Sequence, residues 1–165
     1  MVKPLGFTLL EMVVVIAITA VLALAALPNM NLYVSKQELK LASSELVNYI
    51  QSARNYSATT ECKSNVTFEP SNGLIKITVK LEKDTQWRGC NRWFEASGHD
   101  LEKAVTIRTG TVNKATLAQA VSVTFNGVSG NLSGNSVHTL QLTHDSAKGT
   151  LQLSGIGNGV FQYVN

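Results

Sequence analysis

Charge is scarce in this chain, and the scarcity is uneven. Only 15% of the 165 residues are Asp, Glu, Lys or Arg, and from residue 115 onward the formal charges are Asp145 and Lys148 alone. A net charge of +3 is too mild to imply a nucleic-acid partner by itself. The patterns of catalysis are missing too. His99, His138 and His144 form no His-Glu-x-x-His metal helix. Gly127-Val128-Ser129-Gly130 is not a Gly-x-Ser-x-Gly elbow, and its glycines suit a loop between strands. An enzyme is therefore not expected, nor is a metal or another cofactor. There is no fixed-period repeat and no low-complexity tract. Cysteine is limited to Cys62 and Cys90. About 100 residues follow the long N-terminal helix described next, which leaves room for one small domain and no second.

Against that background one stretch stands out. Residues 7–27 hold a single charge, Glu11, in an otherwise apolar run. A helix of that length rises roughly 30 Å, the thickness of a bilayer's hydrocarbon core. A carboxylate inside it costs about 2.5–3.5 kcal/mol on insertion scales, so it calls for a partner and a role. Ahead of it lies Met1-Val2-Lys3-Pro4-Leu5-Gly6, a short leader with one positive charge and a terminal glycine. The order of basic leader, Gly6, then Phe7-Thr8-Leu9-Leu10-Glu11 and an apolar helix resembles the type III signal of type IV pilins and pseudopilins. The resemblance implies cleavage after Gly6 by a prepilin peptidase and N-methylation of Phe7. It also implies that Glu11 neutralises the terminal amine of a neighbouring subunit, two opposite charges being tolerable together where each alone is costly. The helix would serve first as an inner-membrane anchor, with an assembly platform as partner, and later as filament core. Two other readings stay open. One is an ordinary secretory signal with Ala23-Leu24-Ala25 as its cleavage site; the other is a plain uncleaved anchor.

Pro28 lacks a backbone donor and is expected to kink or break the helix. Beyond it Leu39, Ala42, Leu46, Tyr49, Ala53 and Tyr56 recur in steps of three and four, an apolar stripe with Lys36, Glu38, Lys40, Glu45, Asn48 and Arg54 off it. The helix is expected to end near residues 57–59. Short alternating runs follow. Residues 66–68 and 74–81 flank Pro70-Ser71-Asn72-Gly73, a hairpin signal. Further strands are expected at 104–108, 120–125, 137–143, 150–153 and 160–164, with a turn over 145–149. The expected architecture is α+β: leader 1–6, membrane or filament helix 7–28, amphipathic helix 29–59, and a periplasmic β-rich domain 60–165 whose antiparallel sheet packs on the helix. Cys62 and Cys90 fall in the exported part. An oxidising compartment favours their disulfide, worth roughly 3–4 kcal/mol on the chain-entropy model, over two buried thiols.

Within pilins, Ser44 to Ala58, with Ala53-Arg54 inside it, is similar to the Leu-x-x-Ala-Arg-x-x-Ala helix end of the GspH/FimT family. The run Val123-Thr124-Phe125-Asn126-Gly127, Leu140-Gln141-Leu142 and Leu151-Gln152-Leu153-Ser154-Gly155 resembles that family's C-terminal strands. Members are minor pilins or pseudopilins of type II secretion and type IV pilus systems, held to sit at or near the filament tip and to help start assembly. DNA-binding members carry a basic Gly-Arg-x-Arg element where this chain reads Gly157-Asn158-Gly159-Val160-Phe161. A DNA grip by that element is therefore not expected. Basic residues gather elsewhere: Lys76, Lys80, Lys83, Arg88 and Arg92, interleaved with Trp87 and Trp93 around Cys90. They could hold phosphates and stack on bases for DNA uptake. The other reading is a solvated strand edge protected by lysines, with the tryptophans buried beside the disulfide.

Overall fold

The computed structural model describes residues 8–83, 88–98, 104–127, 129–133 and 138–164, with the side chains of 25–29 and 138 set aside. The chain divides into two compact units, Met1–Val34 and Ser35–Asn165. The architecture is α+β, a long N-terminal helix followed by two antiparallel sheets. Helix α1, Leu9–Thr60, contributes to both units and runs unbroken through Pro28. The break considered for Pro28 does not occur, because a long helix tolerates one missing donor when the bonds on either side persist.

In the second unit α1 buries Leu39, Ala42, Leu46, Ile50 and Ala53. The buried face differs from the expected stripe at two places: Tyr49 is half-buried and Tyr56 exposed, while Ile50 and Ser57 point inward. At 100° per residue, Tyr49 and Tyr56 fall to one side of the line through Leu39, Leu46 and Ile50. Glu61 ends the helix with a left-handed backbone (φ 58°). The hydroxyl of Ser57 then donates to the Cys62 carbonyl at 2.9 Å, and that of Ser64 to the Ala53 carbonyl at 2.8 Å. These bonds tie the chain leaving the helix back onto its last turns.

One sheet has the order β3-β2-β1-β5, with β1 Lys63–Ser71, β2 Leu74–Glu82, β3 Val105–Val112 and β5 Val121–Phe125. The β1–β2 hairpin closes on Asn72 and Gly73, both at positive φ (43° and 82°), which suits the right-handed twist of the strands. Its alternation sends Val66, Phe68, Ile75, Ile77 and Val79 into the core. The other sheet runs β4-β6-β7-β8: β4 Thr116–Leu117, β6 His138–His144, β7 Ala147–Leu153 and β8 Gly159–Val164. Its β6–β7 turn is shorter than expected, since β7 begins at Ala147 and Gly149 pairs with both Leu142 and Tyr163. Gly149 is needed for close approach: a Cβ there would lie 2.3 Å from the Phe161 ring. Leu140, Leu142, Leu151 and Leu153 join the residues of α1 and the first sheet in one core.

The segment after β2 folds differently from the strand edge considered for it. Arg88–Ser97 forms helix α2, and its Cys90 bonds to Cys62 across 28 positions (Cα–Cα 4.7 Å). Leu81 and Phe94 complete a small second cluster around the disulfide, with Trp93, Val105 and Ile107 against it.

Candidate functional site: assembly surfaces

The first unit has one unusual property. Its described apolar side chains are exposed on every side of the helix: Leu9 is 83%, Leu10 74% and Leu24 71% exposed, and Val13, Ile16, Val21 and Leu22 each exceed half. A helix that is apolar all round belongs in lipid or in the core of an assembly. Thr19 fits such surroundings, its hydroxyl donating back to the carbonyls of Val15 and Ile16, both at 2.9 Å, so that no polar hydrogen is left for solvent. Among the described residues no helix is long and apolar enough to cross a membrane. The described side chains of this stretch end at Leu24, short of the roughly 20 residues a span needs.

Glu11 sits at the third position of α1, exposed. Its N–H donates to the Thr8 hydroxyl at 3.2 Å, and the Met12 N–H to the Thr8 carbonyl at 3.3 Å. Thr8 is thus the cap of α1, and Thr8-x-x-Glu11 has the spacing of a capping box. A carboxylate in the first turn also lies at the positive end of the helix dipole. The role of Thr8 is legible in the sequence as Thr8-x-x-Glu11 ahead of an apolar run, a signal the reading of Glu11 as a buried charge does not use. Gly6 and Phe7 lie outside the described residues.

The basic set is dispersed over different elements. Lys80 is exposed on β2, opposite Asn65 and Thr106, and Lys83 is half-buried just after the strand. Arg88 and Arg92, one turn apart on α2, are exposed. Trp93 is half-buried against the disulfide cluster and meets Phe94 edge-on, ring centroids 5.2 Å apart. That tryptophan packs rather than presents a stacking face. Trp87 lies outside the described residues. The N-terminus of α2 is already occupied, because the Gly89 N–H donates to the Glu61 carboxylate at 3.1 Å.

A polar cluster that sequence reasoning missed fastens α1 to the second unit's loops. Glu38 bonds to Lys114 through one oxygen and to His144 Nε2 through the other at 2.7 Å. Ser35 reaches Asp145 at 3.4 Å, and His144 lies 3.7 Å from the same carboxylate. The hydrogen bond from Lys114, and next that with His144, holds the Glu38 carboxyl below the usual carboxylate range. Farther along, Arg108 of β3 stacks over the Tyr49 ring at 4.4 Å and donates to the Ser52 hydroxyl at 2.8 Å. Gly110 lets that tyrosine in, since a Cβ there would lie 1.9 Å from its hydroxyl.

Residues 1–27 match the prokaryotic N-terminal methylation motif, the stretch in which Gly6, Phe7 and Glu11 fall. Among solved structures, the chain is similar to the type IV minor pilin FimU of Pseudomonas aeruginosa, with 14% identity, coverage of 79% of this chain and 90% of that one, and a TM-score of 0.49. No curated protein matches.

Proposed function

We propose that the chain is a minor pilin or pseudopilin, a structural subunit of a bacterial inner-membrane filament machine. The observation that carries this reading is the methylation motif over residues 1–27, continuing into a helix whose described apolar side chains are exposed on every side up to Leu24. In this account a prepilin peptidase cuts after Gly6 and the new amino group of Phe7 is methylated. The helix holds the subunit in the inner membrane with residues 60–165 on the periplasmic side. It then passes through an assembly platform into the core of a type IV pilus or type II secretion pseudopilus. The GspH/FimT resemblance favours a place at or near the tip, where the subunit helps start assembly. Glu11 meets the amino terminus of the neighbouring subunit, the attraction of two charges in apolar surroundings offsetting the desolvation of each.

Glu11→Ala should be inserted and cleaved normally yet be depleted from sheared filaments. Normal recovery of that variant in filaments would remove the role given to Glu11. A DNA-uptake subunit is the second reading, and the exposed Arg88 and Arg92 are what it rests on. It ranks lower because the last 51 residues carry only two formal charges and Trp93 is packed.

A further inference from the structure

The outward face of α1 in the second unit has two unlike flanks. At 3.6 residues per turn, Leu41 and Glu45 fall on the flank beside Thr111, Asn113 and Lys114. Lys36, Lys40, Ser44 and Val47 fall on the flank beside β8. Leu41 is 68% exposed, more than any other large apolar side chain described between Ser35 and the end of the chain. The opposite flank is a groove of about 300 Å³ between α1 and β8, lined by Lys40, Ser43, Ser44, Val47, Gly159 and Phe161. It is open because three of those positions are small. Its far wall is braced by Tyr163, whose hydroxyl donates to the Lys36 carbonyl at 2.9 Å and whose ring lies 5.7 Å from the Lys36 ammonium.

The two flanks differ in relief and in the charge each carries without a salt-bridge partner among the described residues. One presents Leu41 beside Glu45, next to the Glu38–Lys114 pair; the other is a groove floored by Val47, Leu151 and Phe161 with Lys40 in its lining. Among the described residues, neither Glu45 nor Lys40 forms a salt bridge. We propose that the two flanks bind each other between copies of this chain, Leu41 of one filling the α1–β8 groove of the next and Glu45 meeting Lys40. Knob and groove are different patches, so the contact is head-to-tail and leaves a free knob at one end and a free groove at the other. The proposal rests on the filament-subunit reading and says which sides of the globular domain meet.

The test uses two differently tagged full-length copies expressed together, one carrying Leu41→Cys and the other Ser44→Cys, followed by mild oxidation of the sheared filament fraction. A mixed dimer is expected, with no dimer when either variant is expressed alone. A second pair, Glu45→Cys with Lys40→Cys, leaves the leucine knob in place and should give the same pattern. Glu45→Lys on the Leu41→Cys copy should lower the mixed dimer by roughly two- to fivefold, and Lys40→Glu on its partner should restore it. Dimers from either single variant alone would mean a face-to-face contact and overturn the proposal. Absence of the mixed dimer with both copies present in filaments would overturn it while leaving the subunit reading intact. Absence of the unsubstituted chain from filaments would end both.

Discussion

One helix, α1, lives under two regimes. Up to Leu24 its described apolar side chains are exposed on all sides; from Leu39 onward it buries one face in the core shared with the two sheets and shows a mostly polar face, Leu41 apart, to the outside. Backbone conformation is the same in both, so the difference lies in what the side chains require around them. The second half finds its partners within the chain: Leu46 and Ile50 are fully buried, and Glu38, Tyr49 and Ser52 are each engaged by strands or loops. In the first half the described apolar side chains stay exposed, Leu9, Leu10 and Leu24 most of all, and apolar surroundings such as lipid or a protein assembly would suit them. The comparison separates what folds the domain from what assembles it.

The sharpest way to break this comparison is to make one substitution in both halves. Leu46→Ala removes a fully buried side chain from the contact between α1 and the sheets and should cost the domain about 2–5 kcal/mol, read by denaturant unfolding. Leu22→Ala, with the side chain 64% exposed, should leave that unfolding curve unchanged and act only on filament incorporation. Equal losses in the two variants would erase the distinction. Next in size is the Cys62–Cys90 bond, which lies wholly in the second half. Paired serine substitution should lower domain stability by roughly 3–4 kcal/mol on the chain-entropy model, with membrane insertion of the first half unaffected.

The smallest effect concerns Glu38. Its carboxyl titrates below its unfolded value, so its contribution to stability is full above that value and fades as pH falls through the folded one. The domain should therefore lose thermal stability below about pH 4.3, the ordinary glutamate range. Glu38→Gln should flatten that part of the profile. An unchanged acid profile in the variant would show that the cluster of Lys114 and His144 does not couple to folding.

Most local signals are legible in the sequence, helix α2 excepted, and the long-range ones are not. The β1–β2 hairpin was legible because Asn72-Gly73 interrupts two alternating runs, and the register follows once the turn is placed. The pairing of Cys62 with Cys90 followed from their number and compartment. Helix α2 was missed although Cys90, Trp93 and Phe94 have helical spacing; its basic residues drew the reading toward an exposed strand edge. Gly149 looked like a turn residue because nothing local announces that Phe161 lies over it. The Glu38 cluster joins positions more than 70 residues apart and leaves no local trace.

The fate of the junction of Gly6 and Phe7 decides whether the chain is a filament subunit, and intact-mass and fragment spectrometry of the mature chain from membranes and filaments reads it directly. The expected product begins at Phe7 and carries one methyl group on its amino terminus, and a bulky replacement of Gly6 should leave Lys3 attached in the membrane-bound precursor. A mature chain beginning near Ala26 would mean an ordinary signal peptide, and an unprocessed chain beginning at Met1 a plain anchor; either would contradict the subunit reading.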